Sequence, residues 1–188
     1  TGSAGAKAGT VDVAFVSDPN GINSLGQTNL GSQTVDISVD VFRLADPAPG
    51  ATTVNAGQFH VGDTIDVALS VTNSAPDDGF SESLDAAFTG ANTGDVSGTG
   101  GAIDNLGPGA SDNGSLVVSV NSAAAGNRSG TADVNFVSDP NGINSLGTTD
   151  LGDQSFTVNA DVYRLAESNV PASVDLGDVR VGDLAQAT

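Results

Sequence analysis

Apolar and polar residues alternate with a period of two along much of this 188-residue chain, the signature of strands with one face toward a core and one toward water. The clearest case is residues 34–44, where Val35, Ile37, Val39 and Val41 take one phase and Asp36, Ser38 and Asp40 the other. Residues 11–16 do the same through Val11, Val13 and Phe15. SDPNG then stops that strand, because Pro19 has no amide to give a ladder and Asn20-Gly21 is a turn pair. Further strands are predicted around Val54, Phe59 and Val61, over TIDVALSVTN (64–73), over SLDAAF (83–88) and over SLVVSV (115–120). Residues 89–114 are mostly Gly, Ser, Asp, Asn and Thr and predict a long irregular loop with room for one short edge strand. No stretch carries a helical period.

The strands recur. Residues 9–46 return as residues 130–167 at a constant offset of 121, with about two thirds of positions identical and FVSDPNGINSLG kept letter for letter. In the second copy Phe156, Val158, Ala160 and Val162 hold the apolar phase. The strand letters change while the pattern stays, as a core facing solvent on its other side permits. FHVGDTIDVA (59–68) reappears as VRVGDLAQA (179–187), so one unit is about 120 residues, the size of a domain. The expected organisation is the C-terminal part of one repeat at 1–46, a complete repeat at 47–167, and the first strand or strands of the next at 168–188. Pro-rich DPAPGATT (46–53) and ESNVPAS (167–173) read as short, stiff linkers. About seven strands per repeat, with this turn spacing, predict an all-β chain of antiparallel two-sheet sandwiches in tandem.

Composition narrows the function. Twenty-three acidic against five basic residues give a formal net charge of −18. Four scattered Arg and Lys7 make no basic patch, which argues against nucleic acid as a partner. The acid excess reads as a solvated surface suited to salty or cation-rich surroundings. There is no Cys, hence no disulfide and no thiolate chemistry. No apolar run approaches the roughly 20 residues of a membrane span, so no membrane insertion is expected in this segment.

At FHVGDTIDVALSVTN the sequence resembles the immunoglobulin-like repeats of large bacterial surface proteins, the choice-of-anchor D type and the related ASH-type domains, whose opening strands read V-G-D-T, then alternating apolar residues, then T-N. SLGTTDLGDQSFTVNADVYRLA (145–166) is similar to the close of such modules. The resemblance spans most of 47–167 and implies an Ig-like sandwich in a spacer, adhesin stalk or filament subunit. The Cys-Trp-Cys core of antibody domains is absent.

Candidate chemistry is sparse. The single His60 sits beside Phe59 on an expected strand and is matched by Arg180 in the next unit, so a surface strand residue is the reading ahead of a general base. No acidic pair lies in an apolar setting and no phosphate loop or His/Cys metal cluster is present, so no enzyme is expected. SDPNGIN supplies hard oxygens from Asp18, Asn20 and Asn23, and again from Asp139, Asn141 and Asn144. Calcium takes six to eight oxygens with several carboxylates, and one carboxylate per loop favours an Asx/Pro/Gly turn over a weak calcium site; no other cofactor is implied. The complete unit has no Lys, which excludes a Lys–Asn isopeptide staple there. The expectation is a structural block of an extracellular or cell-surface bacterial fibre whose partner is itself. The alternative is an adhesin or carbohydrate-binding module using 89–114 to hold a glycan.

Overall fold

A computed structural model describes residues 2–98 and 100–182. It is all-β. The strands are β1 (Gly5–Ser17), β2 (Thr28–Val41), β3 (Pro47–Pro49), β4 (Thr53–His60), β5 (Asp66–Ala68), β6 (Val71–Asn73), β7 (Ser83–Gly94), β8 (Val96–Gly98), β9 (Ile103–Leu106), β10 (Ser111–Asp112), β11 (Val117–Val120), β12 (Gly126–Asp139) and β13 (Thr149–Tyr163). One layer of the sandwich is the five-stranded sheet β4-β13-β12-β7-β9; the other is formed by β5-β11-β8 and β10-β6-β3. All pairs are antiparallel except β4, which lies parallel to β13. The fold is an Ig-like antiparallel β-sandwich.

Period-two patterning puts the core where the strands predict it. Leu69, Leu116, Val118, Val134, Phe136, Phe156, Val158 and Val162 are all buried, and Val67, on the same expected phase, is half-buried against them. TIDVALSVTN is not one strand: the chain leaves the β11 side after Ala68 and joins the β3 side at Val71, with Leu69 N–H still bonded to Leu116 O at 2.8 Å. One apolar run therefore serves both halves of a layer.

Other segments also differ from their sequence reading. Residues 46–53, read as a linker, supply β3, where Pro47 and Pro49 sit on the edge of the β6 sheet, the place where a missing amide costs no ladder bond. Residues 89–114, read as an irregular loop, hold the end of β7, all of β8, β9 and β10, and the buried Val96 and Ile103. Their glycines serve close packing here: a Cβ on Gly98 would lie 2.5 Å from the Phe88 ring. Both hairpins also begin earlier than the alternation suggests, at Gly5 and Gly126. Part of the third-unit opening strand, 183–188, lies outside the described residues; among those described, none beyond Tyr163 belongs to a strand.

The first-copy hairpin β1–β2 stands as a separate two-stranded sheet. Its end is fastened to the sandwich. Arg43 N–H bonds Phe80 O at 2.7 Å, Glu82 N–H bonds Arg43 O at 3.0 Å, and the guanidinium reaches Asp78 and Ser81. Phe42 packs on Phe80 with ring centroids 5.6 Å apart, and Ala45 is buried in the sandwich core. The Arg43 side-chain bond, with the Phe80 amide next in effect, holds the Asp78 carboxyl below the usual carboxylate range. A depressed folded value means that the contribution of this exposed pair is present above pH about 4 and lost as pH falls through the folded value. In an NMR acid titration the Phe80 amide, which donates to Asp78 Oδ1, is expected to move with a midpoint below pH about 4. A midpoint at or above the ordinary Asp value would refute the contact.

Candidate functional site

The two copies of SDPNGIN fold alike. Asn20 and Asn141 both take left-handed backbone, at φ 45° and 46°. Asp18 Oδ1 accepts from Asn20 N–H at 2.9 Å and Asp139 Oδ1 from Asn141 N–H at 2.7 Å. Asn23 Oδ1 and Asn144 Oδ1 accept from the amides of Leu25 and Leu146. These are Asx turns, in which the side-chain oxygen satisfies a backbone donor two residues on. Asp18 Oδ2 also accepts from Gln27 at 2.7 Å, and the Asn20 amide, more than Gln27, lowers its pKa.

Beyond the turn, the copies diverge in surroundings. In the second copy Asn144 Nδ2 donates to Glu82 Oε1 at 2.8 Å, Ser138 Oγ donates to Glu82 Oε2 at 2.7 Å, and Asn141 Nδ2 lies 3.4 Å from Ser83 Oγ. Ser138 Oγ in turn accepts from Ala45 N–H at 2.8 Å. Asn73 completes the cluster, giving Nδ2 to Glu82 O and Leu106 O and accepting from Asp46 N–H. Glu82, Ser138 and Asn73 are all buried. This loop is thus clamped to the buried Glu82 side chain, one residue ahead of β7, where an unmade bond would carry a desolvation cost.

Of the six candidate calcium ligands, the structure gathers three at each loop, 121 residues apart, with the Asp and second Asn oxygens of each bonded to backbone amides. Among the described residues no group of three His, Cys, Asp or Glu side chains gathers to hold a metal. We expect chelator to leave the melting temperature within about 2 °C, a shift worth less than roughly 1 kcal/mol. A large fall restored by calcium and not by magnesium would reverse the turn reading. His60 is exposed, with Nδ1 3.9 Å from Asp63 Oδ2.

Sequence reasoning missed Glu82 and Ser138, the polar centre of the sandwich. The one available signal was the loop itself, which repeats without a changed letter while flanking strands vary.

The second candidate is the hairpin face. Val11, Val13, Phe15, Val35, Ile37 and Val39 are exposed, yet their repeat equivalents Ala132, Val134, Phe136, Phe156, Val158 and Ala160 are buried. The two hairpins have the same register: Val11 faces Val35 and Gly5 faces Val41, as Ala132 faces Phe156 and Gly126 faces Val162. Both shift register after the same Phe, at Phe15/Val16 and Phe136/Val137. What differs is the neighbours. β12 is flanked by β7 and β13 by β4, while among the described residues β1 and β2 pair only with each other. Contiguous apolar surface of this kind marks an interaction site.

No family model and no curated protein matches the chain. Solved structures similar to it include an ASH/PapD-like domain of human CEP192 (PapD-like domain 7), at 8% identity over 65% of this chain and 89% of that chain, with a TM-score of 0.42. The Vibrio cholerae VesB protease matches at 16% identity over 63% of this chain and 32% of its own, TM-score 0.33. Domains 4 and 5 of the S-layer protein SbsC match at 15% identity over 72% and 55%, TM-score 0.24. At these scores the likenesses carry no functional argument. No helix among the described residues is long and apolar enough to cross a membrane.

Proposed function

We propose that the chain is a structural section of an extracellular or cell-surface bacterial fibre, built of tandem Ig-like repeats and working by spacing and self-association, without catalysis. The finer assignment, to modules of the choice-of-anchor D and ASH type, rests on V-G-D-T at 61–64 and T-N at 72–73 and belongs to the same proposal. The observation that carries it is the joint between repeats. Phe42 to Asp46 leave one unit and enter the next by backbone pairing, a guanidinium–carboxylate contact and a buried Ala45. A connection of that kind transmits direction from unit to unit, as a stalk requires, whereas a flexible linker would let it decay. The acidic, solvated outer faces suit a surface in salty medium. Antibody against residues 47–167 should label intact, unpermeabilised cells along filaments, and denaturing gels of native material should show a polypeptide far above 18.4 kDa. Labelling only after permeabilisation would overturn the proposal.

A further inference from the structure

Gly9 has no local reason to be glycine. Its φ lies outside the left-handed region and a Cβ there would meet nothing within 4 Å, while glycine inside a strand is entropically unfavourable. Its repeat equivalent Gly130 has a compelling reason: a Cβ would lie 2.0 Å from Thr93 O and 2.9 Å from Val96, because the chain turns from β7 into β8 directly over it. Three more side chains of the hairpin follow the same logic. Arg128 reaches Asp95 at 3.4 Å, and Lys7 holds that position in the first copy, bonded to Ser3 Oγ. Ser138 and Asn144 clamp Glu82, and their counterparts Ser17 and Asn23 are exposed. The hairpin thus carries a small residue where a backbone would cross, a cation where an aspartate would sit, two hydrogen-bonding groups where a buried carboxylate would enter, and an apolar strip between them.

We infer that the β1–β2 hairpin is the receptor half of a second sandwich, and that its occupant is another copy of the segment 43–121, with β4-like and β7-like strands seated on its two edges. This rests on the fibre reading and names the self-recognition surface behind it. The far end of the chain shows that such segments recur beyond the complete unit. Residues 173–180, SVDLGDVR, repeat β4, TVNAGQFH. They already carry its bend: Asp175 Oδ1 accepts from Gly177 N–H at 2.9 Å, as Asn55 Oδ1 accepts from Gly57 N–H at 3.0 Å, and both glycines have positive φ. Residues 173–180 form no strand and expose Val174, Leu176 and Val179. An opening strand without a hairpin and a hairpin without opening strands stand on one chain.

The test places residues 43–121 ahead of Thr1, so that Asn121 is followed by Thr1 as it is by Ser122 in the complete unit, and compares this extended chain with the 188-residue chain by hydrogen exchange. Amides of residues 9–16 and 35–41 should slow by at least about a hundredfold on extension, as open strands become core strands. Gly9→Val and Phe15→Asp should leave the melting temperature of the 188-residue chain unchanged and abolish the gained protection in the extended one. Hairpin amides that exchange equally fast in both chains would overturn the inference, as would protection indifferent to Gly9→Val. So would protection that appears in the unextended chain at high concentration, which would make a second hairpin the partner. None of these outcomes bears on whether native material labels as surface filaments, so this inference can fail while the fibre reading stands.

Discussion

Phe136→Ala is expected to cost about 3–5 kcal/mol of stability, whereas Phe15→Ala, the same change at the same repeat position, should cost less than about 1 kcal/mol. Phe136 is 4% exposed and Phe15 is 44% exposed. Removing the buried ring forfeits its transfer free energy and leaves a cavity among β-strands that can collapse only in part; removing the exposed one opens no enclosed cavity and gives up only part of its burial. For a domain of this size the first change should lower the melting temperature on the order of 10–20 °C. Thermal melts of the two variants followed by far-ultraviolet circular dichroism decide the matter. Equal effects would mean that the first hairpin is covered, and equal indifference would reject the core.

Ser138→Ala should be the most damaging loss of a single polar atom. The hydroxyl accepts from Ala45 N–H and donates to Glu82 Oε2, so one deletion strands a backbone donor and a carboxylate oxygen, both buried. Each unmet group costs about 1–3 kcal/mol, giving about 2–6 kcal/mol together. Because Ala45 belongs to the joint, the variant should also loosen the hairpin's anchorage, visible as faster exchange of the Ala45 amide. Ser17→Ala, at the exposed counterpart, is the control and should melt with the parent. A parent-like melt for Ser138→Ala would show that the Glu82 cluster contributes little.

Much of the fold was legible because strands announce themselves by period two. Val134, Phe136, Phe156 and Val158 lie on the phase that the alternation assigned to the core, and SDPNG ends β12 as it ends β1. Two of the misread stretches share one cause. Pro47–Pro49 and residues 89–114 have the composition of loops, but an edge strand tolerates proline and a crowded crossing demands glycine, so composition alone points the wrong way. Glu82 was illegible for another reason: an acid in the polar run SDPNGIN's neighbour, FSESLD, looks solvated until the loop of residues 139–146 folds over it.

Apart from β3, β8, β9 and β10, the main strands were legible in the sequence, as were the phase of their apolar positions, the turns of both SDPNGIN loops and the repeat. Those are local properties, set by residue alternation, proline and left-handed Asn-Gly pairs, and both copies obey them alike. Tertiary structure alone decided which copy is core and which is surface. Two hairpins of nearly one sequence, in one register, differ in burial because β4 and β7 pair with β13 and β12, whereas among the described residues no further strand pairs with β2 or β1. Burial is a property of what packs against a strand, and that comes from residues far along the chain.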